Sequence, residues 1–164
     1  MLVIGIDPGT ATTGYGLVEE RQDGTLVAVT YGVVLTPAKT PMPERLLKLH
    51  QELAQIVLLH RPENAAVEKL FFQRNVSTAI SVGQGRGVAM LALAEVDLDV
   101  AEYTPMEVKQ AVAGYGGADK RQVQEMVRAL LGLETIPQPD DAADALAVAI
   151  CHLHSAKMKA LLGG

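Results

Sequence analysis

A single cysteine, Cys151, is all the thiol chemistry in the chain. One cysteine closes no intrachain disulfide, so the fold must rest on its core, and the pattern fits a reducing cytoplasm. No apolar run approaches the ~20 residues of a bilayer span, so no membrane segment is expected. No basic region precedes the apolar N-terminal stretch, which argues against a secretory leader. Aromatics are scarce, with Phe71 and Phe72 the only phenylalanines. Positive charge is in the minority: 14 Lys and Arg stand against 19 Asp and Glu. Alone, that balance speaks against nucleic acid as a partner. It is a weak criterion, because a metal site adds carboxylates that bound cations neutralise. Repeats, low-complexity tracts and interdomain linkers are also missing. Residues 1–164 therefore read as a single domain, able to bury roughly 70% of its unfolded surface.

What is present is a run of strands followed by alternation. Leu2 to Asp7 reads as a first strand ending in a Pro-Gly turn. Gly14 to Glu20 and Thr25 to Leu35 read as two more, joined by Asp23-Gly24, a good hairpin turn. Further strands are expected at Ala65 to Leu70 and Leu98 to Tyr103. Helices are expected at Glu44 to His60, Val76 to Glu95, Asp119 to Leu131 and, rich in alanine, Asp140 to Met158. Thr104-Pro105-Met106-Glu107 has the form of a capping box with proline at the first helical position. Gly114 to Gly117 reads as a flexible loop. The sum is an α/β domain with a five-stranded mixed sheet flanked by helices.

Four acids sit where apolar patterning would put none. Asp7 closes the first strand, and a buried carboxylate is costly unless something meets it. Glu68 interrupts "AAVEKLFF". Asp141 and Asp144, three apart in "PDDAADALAVAI", share one helical face. Each has an ordinary reading. Asp7 could cap a turn and Glu68 could lie on a solvated edge strand. Asp140 or Asp141 could serve as an N-cap or complement the helix dipole, and Asp144 could face water. Small residues on the last helix would instead allow it close to the sheet and bring the four together. Converging carboxylates suit Mg²⁺ or Mn²⁺, hard ions that prefer oxygen. Two such ions ~3.5–4 Å apart can activate water and stabilise the leaving oxygen of a phosphodiester.

At these residues the chain resembles the RuvC family of Holliday junction resolvases. "GIDPGTATTGYG", "AAVEKLFFQRN", "GQGRGVA", "VKQAVAGYGGADKRQVQEMV" and "DDAADALAVAICH" follow that family's order and spacing through nearly the whole chain. The resemblance implies an RNase H-like fold, a homodimer, and paired symmetric nicks in opposing strands of four-way junction DNA. It places the catalytic, metal-binding carboxylates on Asp7, Glu68, Asp141 and Asp144. Asp141 is preferred to Asp140 because the family's D-A-A-D-A-L-A phrase starts there. Hydrolysis by metal-activated water is implied, with Mg²⁺ (Mn²⁺ substituting) and two ions per site. The products would be ligatable 5′-phosphate and 3′-hydroxyl ends. No covalent intermediate is implied, so neither Ser77 nor Cys151 need act as a nucleophile. A branch-migration motor, RuvA with RuvB, is the implied partner.

The resemblance also places phosphate contacts on Lys109 and Lys120. Arg74, in the segment after the catalytic glutamate, and Arg86 join the expected DNA contacts. Contacts of this kind position the backbone without reading bases. Lys69 and Arg121 read as solvated. Phe71 matches the family's base-stacking aromatic, worth ~1–3 kcal/mol per base, and Phe72 reads as core. "SVGQGRGVAMLALA" lacks the Lys-Ser/Thr of a phosphate loop, so its small residues are expected to pack, against a second subunit in the dimer reading. His152 and His154, two apart, read as ordinary helix-end residues rather than a zinc site. Two rivals from other classes are a junction binder that does not cut and a phosphotransferase lobe of the actin or sugar-kinase type. The second shares a "GIDPGTATTGYG"-like phosphate-binding opening but needs two lobes to close around ATP.

Overall fold

Strands β1 (Leu2–Asp7), β2 (Thr12–Glu20) and β3 (Leu26–Leu35) form an antiparallel meander. The β2–β3 turn uses Gly24 at φ 84°, and the Asp23 carboxylate accepts the backbone N–H of Thr25 at 2.9 Å. A left-handed backbone there is what glycine supplies without steric penalty. β4 (Asn64–Glu68) and β5 (Val100–Tyr103) then add parallel to β1, giving a mixed five-stranded sheet in the order β3-β2-β1-β4-β5. The computed structural model describes residues 1–9, 11–69 and 76–163. Leu70, Phe71, Phe72 and Arg74 lie outside the described residues. Strand β4 ends at Glu68, earlier than the expected Leu70.

The sheet parts two helical layers because strand side chains alternate faces. Ile4, Ile6, Leu17 and Val67 point to α1 (Met42–His60) and α2 (Val76–Ala94), where they meet Leu49, Leu53, Ala89 and Leu93. Val3, Val18 and Ala66 point the other way, to α3 (Pro105–Ala113), α4 (Lys120–Leu130) and α5 (Asp140–Leu161). Helix starts follow local chemistry. Thr104 with Glu107, and Asp119 with Gln122, close reciprocal capping boxes on α3 and α4. Each satisfies backbone N–H groups that a helix leaves orphaned. Arg61, left-handed at φ 49°, ends α1 ahead of Pro62.

Helix α5 continues to Leu161, beyond the expected Met158, which corrects the reading of its histidines. His152 and His154 are mid-helix residues and bond to neighbouring elements. His152 Nδ1 meets the Tyr103 hydroxyl at 2.9 Å, and His154 Nδ1 meets the Ala111 carbonyl at 2.9 Å. Among the described residues, no helix is long and apolar enough to cross a membrane.

Candidate active site

The site forms where two parallel strands end beneath the start of α5. Ile6 pairs with Val67, so Asp7 and Glu68 are the next residues along adjacent strands, on the face that receives α5. Across the other ladder, Asp7 pairs with Gly14. A β-carbon at Gly14 would collide with the backbone oxygen of Asp141, and one at Gly5 with that of Ala145. Glycine on the strands and alanine on the helix therefore let α5 lie closer than larger side chains allow. That approach delivers Asp141 and Asp144 to Asp7.

One carboxylate oxygen from each of Asp7, Asp141 and Asp144 lies within 4.8 Å of the others. Glu68 joins through a hydrogen bond with Asp7. Burial chiefly, then the charges of Glu68 and Asp144, push the Asp7 carboxyl up to about 9. Asp7 therefore keeps its proton at neutral pH and donates it to Glu68. Burial also raises Glu68, against the bond from Asp7 and the positive charges of Lys109 and Lys120. Asp144 is raised by burial and by the charge of Asp141, opposed by Lys120. Crowded acids behave this way because charge in a poorly solvated place is costly unless countered. An all-oxygen donor set with excess negative charge fits a hard divalent cation.

Lys120 supplies counter-charge at the cluster, its Nζ 3.2 Å from Asp140 and 3.5 Å from Asp144. Lys109 lies close enough to act on Glu68 electrostatically. Arg86 does not join them. Its guanidinium pairs with Glu102, which shares a register position with Val67 and so points to the opposite face of the sheet. Arg121 pairs with Glu125 along α4. The Cys151 thiol is buried against the Glu107 carbonyl and pushed up to about 11, so it stays protonated and a poor nucleophile.

Sequence reasoning missed two features of the site. Gly14 had a signal in the alternating glycines of "TTGYG", which clear one strand face opposite an alanine-rich helix. Asp140 reads in the sequence as a helix cap or as the alternative to Asp141, whereas in the structure it holds Lys120.

The family model for the crossover junction endodeoxyribonuclease RuvC matches residues 3–152. A protein of Desulfitobacterium hafniense named crossover junction endodeoxyribonuclease RuvC is 60% identical over 164 residues, 100% of this chain and 99% of the relative. The structure of Thermus thermophilus RuvC superposes with a TM-score of 0.91 at 40% identity, covering 96% of both chains. T. thermophilus RuvC in complex with a Holliday junction substrate gives 0.88 at 37% identity over 96% of both chains.

Proposed function

The chain belongs to the RuvC family of crossover junction endodeoxyribonucleases, and from that membership we propose the working of its site. The protein is a Holliday junction resolvase with an RNase H-like fold. The observation that carries the site reading is the convergence of Asp7, Asp141 and Asp144, with Glu68 bonded to Asp7. These four acids are the metal-binding and catalytic residues.

Mg²⁺ is the proposed cofactor, with Mn²⁺ able to substitute and two ions per site. Such ions supply an activated water and charge stabilisation at the leaving oxygen. The protein's part is to place oxygen donors and to give up the Asp7 proton as they engage. Lys109 and Lys120 stand at the rim as phosphate contacts, positioning DNA without reading its sequence. Phe71 is the stacking aromatic and Arg74 a further backbone contact. Arg86 is left out of this set because Glu102 already engages its guanidinium.

The functional unit is a homodimer of single-domain chains, acting in the cytoplasm with the RuvA and RuvB branch-migration motor. Support for the dimer comes from α2. Ile80 and Leu91, 73% and 53% exposed, share a face with Gln84 and Gly87 at seven-residue spacing. A β-carbon at Gly83 or Gly87 would meet nothing within 4 Å, whereas one at Gly85 would meet Gly9 and Leu49 of the same chain. An apolar helical stripe with small residues suits a two-fold partner.

Neither rival is favoured. A non-cleaving binder gains nothing from four acids beside phosphate, and the family match extends from residue 3 to 152. The test offers a labelled four-way junction and a linear duplex of matching sequence, with EDTA, Mg²⁺ or Mn²⁺. Symmetric metal-dependent nicks in the junction alone support the reading. Tight junction binding without any cut under either metal contradicts it.

A further inference from the structure

Asp140 sits at the first turn of α5 beside the catalytic pair, but points to α4 instead. Its Oδ1 accepts a hydrogen bond from the Gln124 amide at 3.2 Å, while its Oδ2 lies 3.2 Å from Lys120 Nζ. Lys120 and Gln124 are four apart on α4, so one carboxylate spans one turn of the neighbouring helix. The Gln124 bond fixes how the carboxylate is turned, and the turned carboxylate fixes where the ammonium rests. Lys120 Nζ thus stands between Asp140 and Asp144.

We infer that Asp140 is a positioning residue, which holds Lys120 at the rim of the carboxylate cluster so that its ammonium meets the DNA backbone there. Lys120 is 57% exposed and Asp140 55%, so the pair contributes little to stability. Its consequence lies in geometry. A lysine at a helix start has a long flexible stem and much rotamer freedom. Of the two carboxylates beside Lys120, Asp140 is the nearer, at 3.2 Å against 3.5 Å for Asp144, and it is the one braced by Gln124. An otherwise counterproductive negative charge beside DNA thereby acquires a purpose.

The inference rests on Lys120 being a phosphate contact, and its test separates the two. Junction binding is measured by fluorescence anisotropy in EDTA across a salt series, for Asp140→Asn, Lys120→Ala, the double variant and Gln124→Ala. A negative charge that merely repels DNA predicts tighter binding on neutralisation, with or without Lys120. A positioning residue predicts the opposite sign while Lys120 is present: Asp140→Asn weakens binding several-fold, Gln124→Ala less so, and Asp140→Glu restores it. In the Lys120→Ala background Asp140→Asn then costs nothing or tightens binding. If Lys120→Ala alone leaves affinity and salt slope unchanged, the phosphate contact fails and the inference with it. If Lys120→Ala weakens binding but Asp140→Asn acts identically in both backgrounds, the inference alone is overturned. Unchanged melting temperatures accompany the expected result, because the pair is exposed.

Discussion

The backbone oxygen of Asp141 occupies the space that a side chain at Gly14 would need. Gly14 is also the ladder partner of Asp7. The missing side chain is therefore what allows the start of α5 to reach the end of β1. Gly14→Ala must push α5 away or bend β2, and overpacking of this kind costs ~1–3 kcal/mol. Denaturant unfolding should show that loss, with junction cleavage falling further than the stability change explains. An alanine variant of full stability and activity would mean the helix start can move freely.

Asp7→Asn should lower cleavage ~10²-fold or more, since it removes an oxygen donor on which the proposed cation centre depends. Junction binding should survive. Equal loss of binding and cutting would make Asp7 structural.

The same substitution should stabilise the metal-free protein at neutral and alkaline pH. Asp7 is raised from 3.8 in the unfolded chain to about 9 in the fold. Between those values the folded state binds more protons than the unfolded state, so stability falls as pH rises through this window. Asparagine removes that dependence. The melting-temperature gap between Asp7→Asn and the parent, in EDTA, should widen from about pH 5 to about pH 9. A gap that closes over that range would contradict the assignment of the proton.

If the proposed α2 interface forms the dimer, Ile80→Glu with Leu91→Glu should dissociate it, since buried apolar anchors are worth ~2 kcal/mol or more each at an interface. Sedimentation at micromolar concentration should then report one chain's mass, while the melting temperature holds. A variant that still sediments as a dimer moves the interface elsewhere.

Asp7, Glu68, Asp141 and Asp144 were legible because each breaks a local apolar pattern, and such breaks show without knowing what lies opposite. The Thr104–Glu107 capping box was legible for a related reason, being contained within four residues, whereas Asp119 read as the first residue of α4 and is instead its N-cap, boxed with Gln122. Pairings across elements were not. Arg86 looked available for DNA because nothing in "GQGRGVA" reveals that α2 crosses β5 at Glu102. Gly14 looked like an ordinary strand glycine until the ladder set it beside Asp7 and beneath Asp141. His152 and His154 lie mid-helix rather than at its end, and their partners Tyr103 and Ala111 belong to other elements, which the local sequence does not display. Sequence displays local exceptions, whereas contacts between distant segments depend on register and on which face each residue takes.

The fold brings Asp7, Asp141 and Asp144 together with Glu68 beside Asp7, and the proposed cation site holds a proton on Asp7 until a cation engages it. Calorimetric titration of Mg²⁺ into the protein at about pH 8, in two buffers of different ionisation enthalpy, tests it most directly, because ligands must be deprotonated to bind. Release of about one proton per site is expected on binding, and its loss in Asp7→Asn. Heats of binding that do not depend on the buffer would contradict it.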